Sequence, residues 1–175
     1  CGGGYQRTLS LKREYLHGLV GGNHPLNPTY VPNNGATTVY EQEKDRAKRF
    51  KYKMSWFWSN HFVTRSEDYQ CPSYNYDYFR ILEENAPGNF RDFTHAIGTA
   101  PAMLMYLNGI QNTRFEPNEN YARELLELFT LGRDNNYTQN DIVDAARALT
   151  GWNGFTEACG PLTYVDQFHD PDAKT

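Results

Sequence analysis

The chain has little from which to build a sheet: Ile and Val together number only ten of its 175 residues. Strands draw heavily on β-branched side chains, so a large buried sheet is excluded and helices are expected to dominate. No apolar run approaches the ~18 to 20 residues of a bilayer crossing, the longest being Ala102 to Leu107, so no membrane span is expected. Positive charge is not in excess either. Seventeen Lys and Arg against 21 Asp and Glu leave a net charge of −4, which argues against a general nucleic-acid partner. A Gly-rich phosphate loop, a nucleophile elbow and a Cys cluster are missing, so nucleotide binding and the common hydrolase triads have no support. The chain also lacks an initial Met, a basic leader and an apolar signal core. It begins at Cys1, which reads as a sequence whose N-terminal part has been removed or was not included.

The length suits one domain with a buried core. Aliphatic, aromatic and Cys residues make up 39%, and 14 Gly bring the apolar share to the globular range. Aromatics are the surplus: 13 Tyr, 10 Phe and 3 Trp. The three cysteines, Cys1, Cys71 and Cys159, fit no zinc spacing. Each reads as an inert small hydrophobe, or Cys71 and Cys159 pair and leave Cys1 odd.

Residues 1–38 are rich in breakers, from Gly2-Gly3-Gly4 to Asn33-Asn34-Gly35. They read as an irregular N-terminal segment with at most a short helix near Leu9 to Leu19. Residues 39–175 read as a single helical domain. Ala47, Phe50, Met54, Phe57, Trp58 and His61 fall within an arc of about 100° at helical spacing, one face of a long helix. Its charged remainder reads as a solvated face or an anionic-surface contact. The tyrosine-studded stretch Asp68 to Tyr78 reads as a loop, either a contact surface offering Tyr74, Tyr76 and Tyr78 or a lid packed over the helices. A helix from about Tyr78 should stop at Ala86-Pro87, Asn89 should cap the next, and Thr99 a third that begins near Pro101.

Asn118 should open a helix running to Leu131 and closed by Gly132. Its apolar residues, Leu128 and Phe129 among them, cover about 220°, so this helix is expected to be central. Glu119, Asn120, Arg123 and Glu127 gather on its polar side, toward solvent or a partner, and Asn118, Asn120, Arg123 and Glu127 are the expected contact residues of this helix. Thr138 and Asp141 have capping-box spacing.

Glu124 breaks the pattern by pointing at the edge of the apolar arc. A carboxylate there calls for a salt bridge with an arginine such as Arg80, Arg91 or Arg147, or for a role as metal ligand or general acid/base. His61, on the inward stripe, is a hydrogen-bonded core histidine or a ligand. His169-Asp170 is a structural turn or a site. Together His61, Glu124, His169 and Asp170 could supply nitrogen and oxygen ligands to a divalent metal.

Several segments carry a resemblance: Met54 to Phe62, Glu84 to Arg91, Pro101 to Asn108, the long block Asn118 to Gly132, Tyr137-Thr138 with Asp141, Ala145 to Trp152, and His169-Asp170-Pro171 with Lys174. The chain resembles the domain of unknown function 1800 family over about residues 45–175. The resemblance implies a mainly helical, usually exported protein that continues past this chain's end, so that Thr175 looks like the edge of a fragment. Many members carry His where this chain has Ser59 and Phe129, which removes two imidazoles from any metal set. Export also draws on Asn136-Tyr137-Thr138, a glycan acceptor if the source is a secreting eukaryote, or merely the turn before a helix.

The expectation is therefore a mainly α, irregular multi-helix bundle with long Gly/Pro/Asn/Tyr-rich loops and little or no sheet. Its expected role is as an extracytoplasmic binding or assembly component, with a protein partner, or a carbohydrate or surface polymer. The alternative is a metal-assisted hydrolase using His61, Glu124 and His169, with Asp170 orienting a histidine.

Overall fold

A computed structural model describes residues 39–152 and 159–174, with side chains from Arg46 onward. The expected irregular segment 1–38, with its short helix, lies outside the described residues. Among the described residues the fold is mainly helical, without a strand. An isolated β-bridge joins Thr113 and Glu116.

Helix α1 (Val39–His61) is followed by α2 (Ser66–Tyr69), α3 (Pro72–Asn85), α4 (Phe90–Gly98) and α5 (Pro101–Tyr106). After a 3₁₀ turn come α6 (Glu119–Glu124), a π-helical stretch (Leu125–Thr130) and α7 (Gln139–Ala148). The local signals explain the boundaries. The Asn89 side chain accepts from the backbone N–H groups of Arg91 and Asp92, and Asn118 accepts from Asn120. Thr138 and Asp141 form the reciprocal capping box, and Gly132 takes the left-handed φ of +92° that ends the π stretch. Pro101 stands in the first turn of α5, but Thr99 is not its cap. The cap position is Ala100, and the Thr99 hydroxyl turns back to donate to His95 O.

The stretch expected as a tyrosine loop is helical, because Pro72 at the start of α3 supplies a fixed φ suited to a first helical turn. Tyr74 and Tyr78 are buried in the core. Tyr78 donates to Phe62 O at 2.6 Å, Tyr74 to Gly160 O, and Tyr69 to Asn75 Oδ1 at 3.1 Å. A phenol can be buried when its hydroxyl finds an acceptor, and that is how the aromatic surplus is spent here. Only Tyr76 of the three named tyrosines remains exposed. Burial pushes the phenols of Tyr69, Tyr74 and Tyr78 above the ordinary range.

Phe62, Leu82, Phe93, Ile97, Met103 and Leu104, each 1% exposed or less, form the centre of the main core. Burying each such side chain contributes about 1.5 to 3 kcal/mol. The Phe62 ring meets Phe93 edge-on at 5.0 Å and Phe129 at 5.4 Å. Helix α1 packs on α3, and α3 on α4 and α5. The buried side of α1 is not the expected stripe: Phe50 and Phe57 are more than half exposed, while Ser55 is buried and donates to Lys51 O. Which face of a long helix is covered depends on the helix laid against it, and here a small serine lies inside.

Cys71 and Cys159 form a disulfide, with Cα atoms 5.4 Å apart. It ties the start of α3 to the C-terminal segment. Asn112 links α7 to the start of α6: its amide nitrogen donates to Ala146 O at 2.8 Å and its amide oxygen accepts from Asn118 N–H at 2.8 Å.

Candidate functional site

The central helix departs from regular geometry just past Glu124. From Leu125 its hydrogen bonds reach back five residues: Leu131 N–H donates to Leu126 O at 3.0 Å, and the Thr130 hydroxyl to Leu125 O at 2.6 Å. A π turn holds an extra residue, so it advances the remaining side chains by less than 100° each and changes the face they occupy. Phe129 is thereby turned into the core, and Leu128 is 60% exposed. The wide apolar arc expected for an α-helix is accordingly not buried as a whole, and Leu131 is exposed as well.

The carbonyls at the end of this helix need donors from elsewhere. His61, at the last position of α1, supplies one: Nε2 lies 2.9 Å from Phe129 O. A carbonyl only accepts, so Nε2 carries the proton and donates, and in the neutral ring Nδ1 is left with its lone pair. The imidazole is half-buried among the rings of Trp58, Phe62, Phe90 and Phe129, with centroids 4.6 to 6.2 Å away.

Between the end of α1 and the α6 to π junction lies a cleft of about 590 Å³. Asn60 and His61 line it from α1, and Asn120 and Glu124 from α6, where a four-residue spacing places them on one face. Val63, Leu107, Leu128 and Phe129 supply apolar wall, with Tyr106 beside them.

Among the described residues Glu124 has no salt-bridge partner. Arg80 is paired with Asp77 and Glu84, and Arg147 with Asp144 and Asp170. The carboxylate is left facing the cleft, and the expected arginine partner is a correction imposed by the fold. The other polar face of α6 is engaged within the protein: Arg123 bonds Glu119 at 2.8 Å, Glu127 at 3.5 Å and Gln139 at 3.1 Å, bridging toward α7. Asn118 is occupied as a cap. Of the expected partner-facing group, Asn120 alone lines the cleft.

His169 and Asp170 are both hydrogen-bonded within the fold. Nδ1 of His169 donates to Thr150 O at 3.0 Å, and Thr150 Oγ1 accepts from Asp170 N–H at 2.8 Å. The Asp170 carboxylate accepts from Arg147 Nε at 2.7 Å and from Asp172 N–H at 2.9 Å. The Arg147 hydrogen bond leads in holding this carboxyl down to about 2. His169 does not line the cleft, and no cluster of three or more His, Cys, Asp or Glu able to hold a metal exists among the described residues. At position 129, where the resemblance puts an imidazole in many members, a phenyl ring packs beside His61.

The inward placement of His61 and of Glu124 was legible in two helical patterns, but not their convergence. The i, i+4 pairing of Asn120 with Glu124 was a further signal not used. The rim position of Leu128 had none, since no local pattern marks the π turn.

Fold and cleft together define a disulfide-crosslinked, mainly helical fold with a polar cleft beside a π-helical turn. The chain belongs to the family described as "Protein of unknown function (DUF1800)", whose model matches residues 31–175. No curated protein and no solved structure matches it.

Proposed function

We propose that this chain is the binding domain of an extracytoplasmic protein, and that the cleft between α1 and the π turn is its contact site. The observation that carries the reading is Glu124, a half-buried carboxylate without a salt-bridge partner among the described residues, facing a cleft it shares with His61, Asn60 and Asn120. Helices keep a π turn at a cost in regularity, and such turns often mark functional positions. The exposed hydrophobic rim at Leu128 adds contact surface. The extracytoplasmic assignment is supported by the Cys71–Cys159 bridge, since structural disulfides persist chiefly in oxidising compartments.

A partner protein is the first reading for what docks there. A surface glycan is the second, favoured by the exposed Trp56 ring, which lines a neighbouring cleft with Ser59, Thr64 and Asn75 and could stack on a sugar face.

A thermal-shift panel of peptides, oligosaccharides and small ions, run on the wild type and on an Asn60→Ala/Glu124→Gln double variant, tests the binding reading. A ligand that stabilises only the wild type supports it. Hits that the double variant keeps unchanged, or no hits at all, overturn it. Fractionation of cells expressing the parent gene tests export, and recovery in the cytoplasm would overturn that part.

A further inference from the structure

We propose that the cleft binds an aliphatic ammonium group, with the charged head among the side chains of Asn60, His61, Asn120 and Glu124 and the methylene stem along the apolar wall. This deepens the binding reading above and rests on it. The argument is an inventory of what each polar group has left to offer. The amide nitrogen of Asn60 already donates to Trp56 O at 2.9 Å, and that of Asn120 to Leu107 O at 3.2 Å. Both acceptors are backbone carbonyls, which settles the orientation of each amide and leaves its oxygen free. His61 has spent Nε2–H on Phe129 O. What remains is two amide oxygens, the second N–H of each amide, Nδ1 of His61 and the Glu124 carboxylate, a set in which acceptors predominate and the one charge is negative.

Among the described residues no Lys or Arg lines the cleft. With Glu124 as its one charged group, the cleft favours a head that brings donors and positive charge, and repels carboxylates, phosphates and sulfates. An ammonium group carries three donors and no acceptor, matching acceptors contributed by two different helices. Val63, Leu107 and Leu128 give the carbon chain behind it an apolar surface, as alkyl stems of lysines require. A metal ion is less suited: the cleft holds one carboxylate and one imidazole, and the described residues offer no third ligand of the His, Cys, Asp or Glu type.

The same head occurs in free alkylamines and in lysine side chains, and titration calorimetry on the disulfide-intact chain separates them. 1,5-Diaminopentane represents the first source and Nα-acetyl-lysine N-methylamide the second, with 1-pentanol and pentanoate as stems lacking the cation. Saturable binding of at least one amine, absent for both controls and weakened at least tenfold by Glu124→Gln, is the expected result. Asn60→Ala, an exposed position, should weaken it too and provides a second readout if the Glu124 variant misfolds. Preference for the blocked lysine points to a protein segment, and preference for the diamine to a free amine. Failure of both amines to bind overturns the proposal, as does binding that neither substitution alters. Zinc chloride titrating to one site lost in His61→Ala and Glu124→Gln, without amine binding, also overturns it. If amines fail while another panel ligand still depends on the cleft, the ammonium assignment falls and the binding reading stands. No cleft-dependent ligand of any kind removes both.

Discussion

The imidazole of His61 donates from Nε2 to the carbonyl oxygen of Phe129 at 2.9 Å, joining the last residue of α1 to the last turn of the π stretch. This one bond spans 68 residues of sequence. It satisfies an end-of-helix acceptor, sets which ring nitrogen faces away from it, and fixes two of the cleft's walls relative to each other. Replacing His61 by Phe keeps the ring packing and removes the donor, so stability should fall by about 1 kcal/mol, the usual worth of one such bond. Urea unfolding should show a lower midpoint with an unchanged slope, and Gln, which can still donate, should recover part of the loss.

Gly98 faces Tyr121 so closely that a Cβ there would lie 2.1 Å from the phenol oxygen. The ring belongs to a residue only 4% exposed and has no free space to retreat into. Gly98→Ala is expected to destabilise by roughly 1 to 3 kcal/mol, the range for overpacking a filled core. A companion Tyr121→Phe change, which removes the oxygen, should relieve part of the effect in a double-mutant cycle read by thermal unfolding.

The Cys71–Cys159 bridge closes a span of 88 residues. By the chain-entropy relation, closing a loop of this size stabilises the fold by up to about 4.6 kcal/mol through the unfolded ensemble. The Cys71→Ser/Cys159→Ser pair should therefore unfold at markedly lower denaturant, with native helicity by circular dichroism below the transition. Equal stability of the reduced and oxidised wild type would contradict this.

Asp170 titrates near 2 in the folded chain, below the ordinary 3.8, because Arg147 and the Asp172 N–H bond its charged form. A depressed native value means that the unfolded state binds the proton first as pH falls. The contribution is thus complete above about pH 4 and is lost as pH drops toward 2. In Asp170→Asn the stability difference from wild type should be largest at neutral pH and shrink through that window, as followed by unfolding at a series of acidic pH values.

Tyr137 carries the one buried side-chain polar atom without a hydrogen-bond partner among the described residues, its hydroxyl oxygen. Removing an unsatisfied buried hydroxyl relieves its desolvation penalty, so Tyr137→Phe is expected to be neutral or stabilising by up to about 1 kcal/mol. A clear loss of stability would show that the hydroxyl has a partner in solution.

Helix ends could be read from the chain because their causes are local. Asn89, Asn118 and the Thr138/Asp141 pair bond backbone groups two or three residues away, and Gly132 answers a dihedral requirement of its own. The scarcity of β-branched residues likewise settled the helical class. By contrast, the buried face of α1, the fate of Tyr74 and Tyr78, and the loneliness of Glu124 depend on what lies opposite each group after packing. No periodicity reports that Phe57 stays in water while Ser55 goes inside, or that Arg80 and Arg147 are already engaged by other carboxylates.

The inward lean of His61 and Glu124 could be inferred from two separate helical patterns, since side-chain direction repeats with the turn. Their meeting in one cleft, and the separation of His169 from them, belong to the packed molecule alone. Backbone hydrogen bonds five residues long, a carbonyl awaiting a donor and contacts across 68 positions of chain are properties of neighbours in space, and neighbours along the sequence do not encode them.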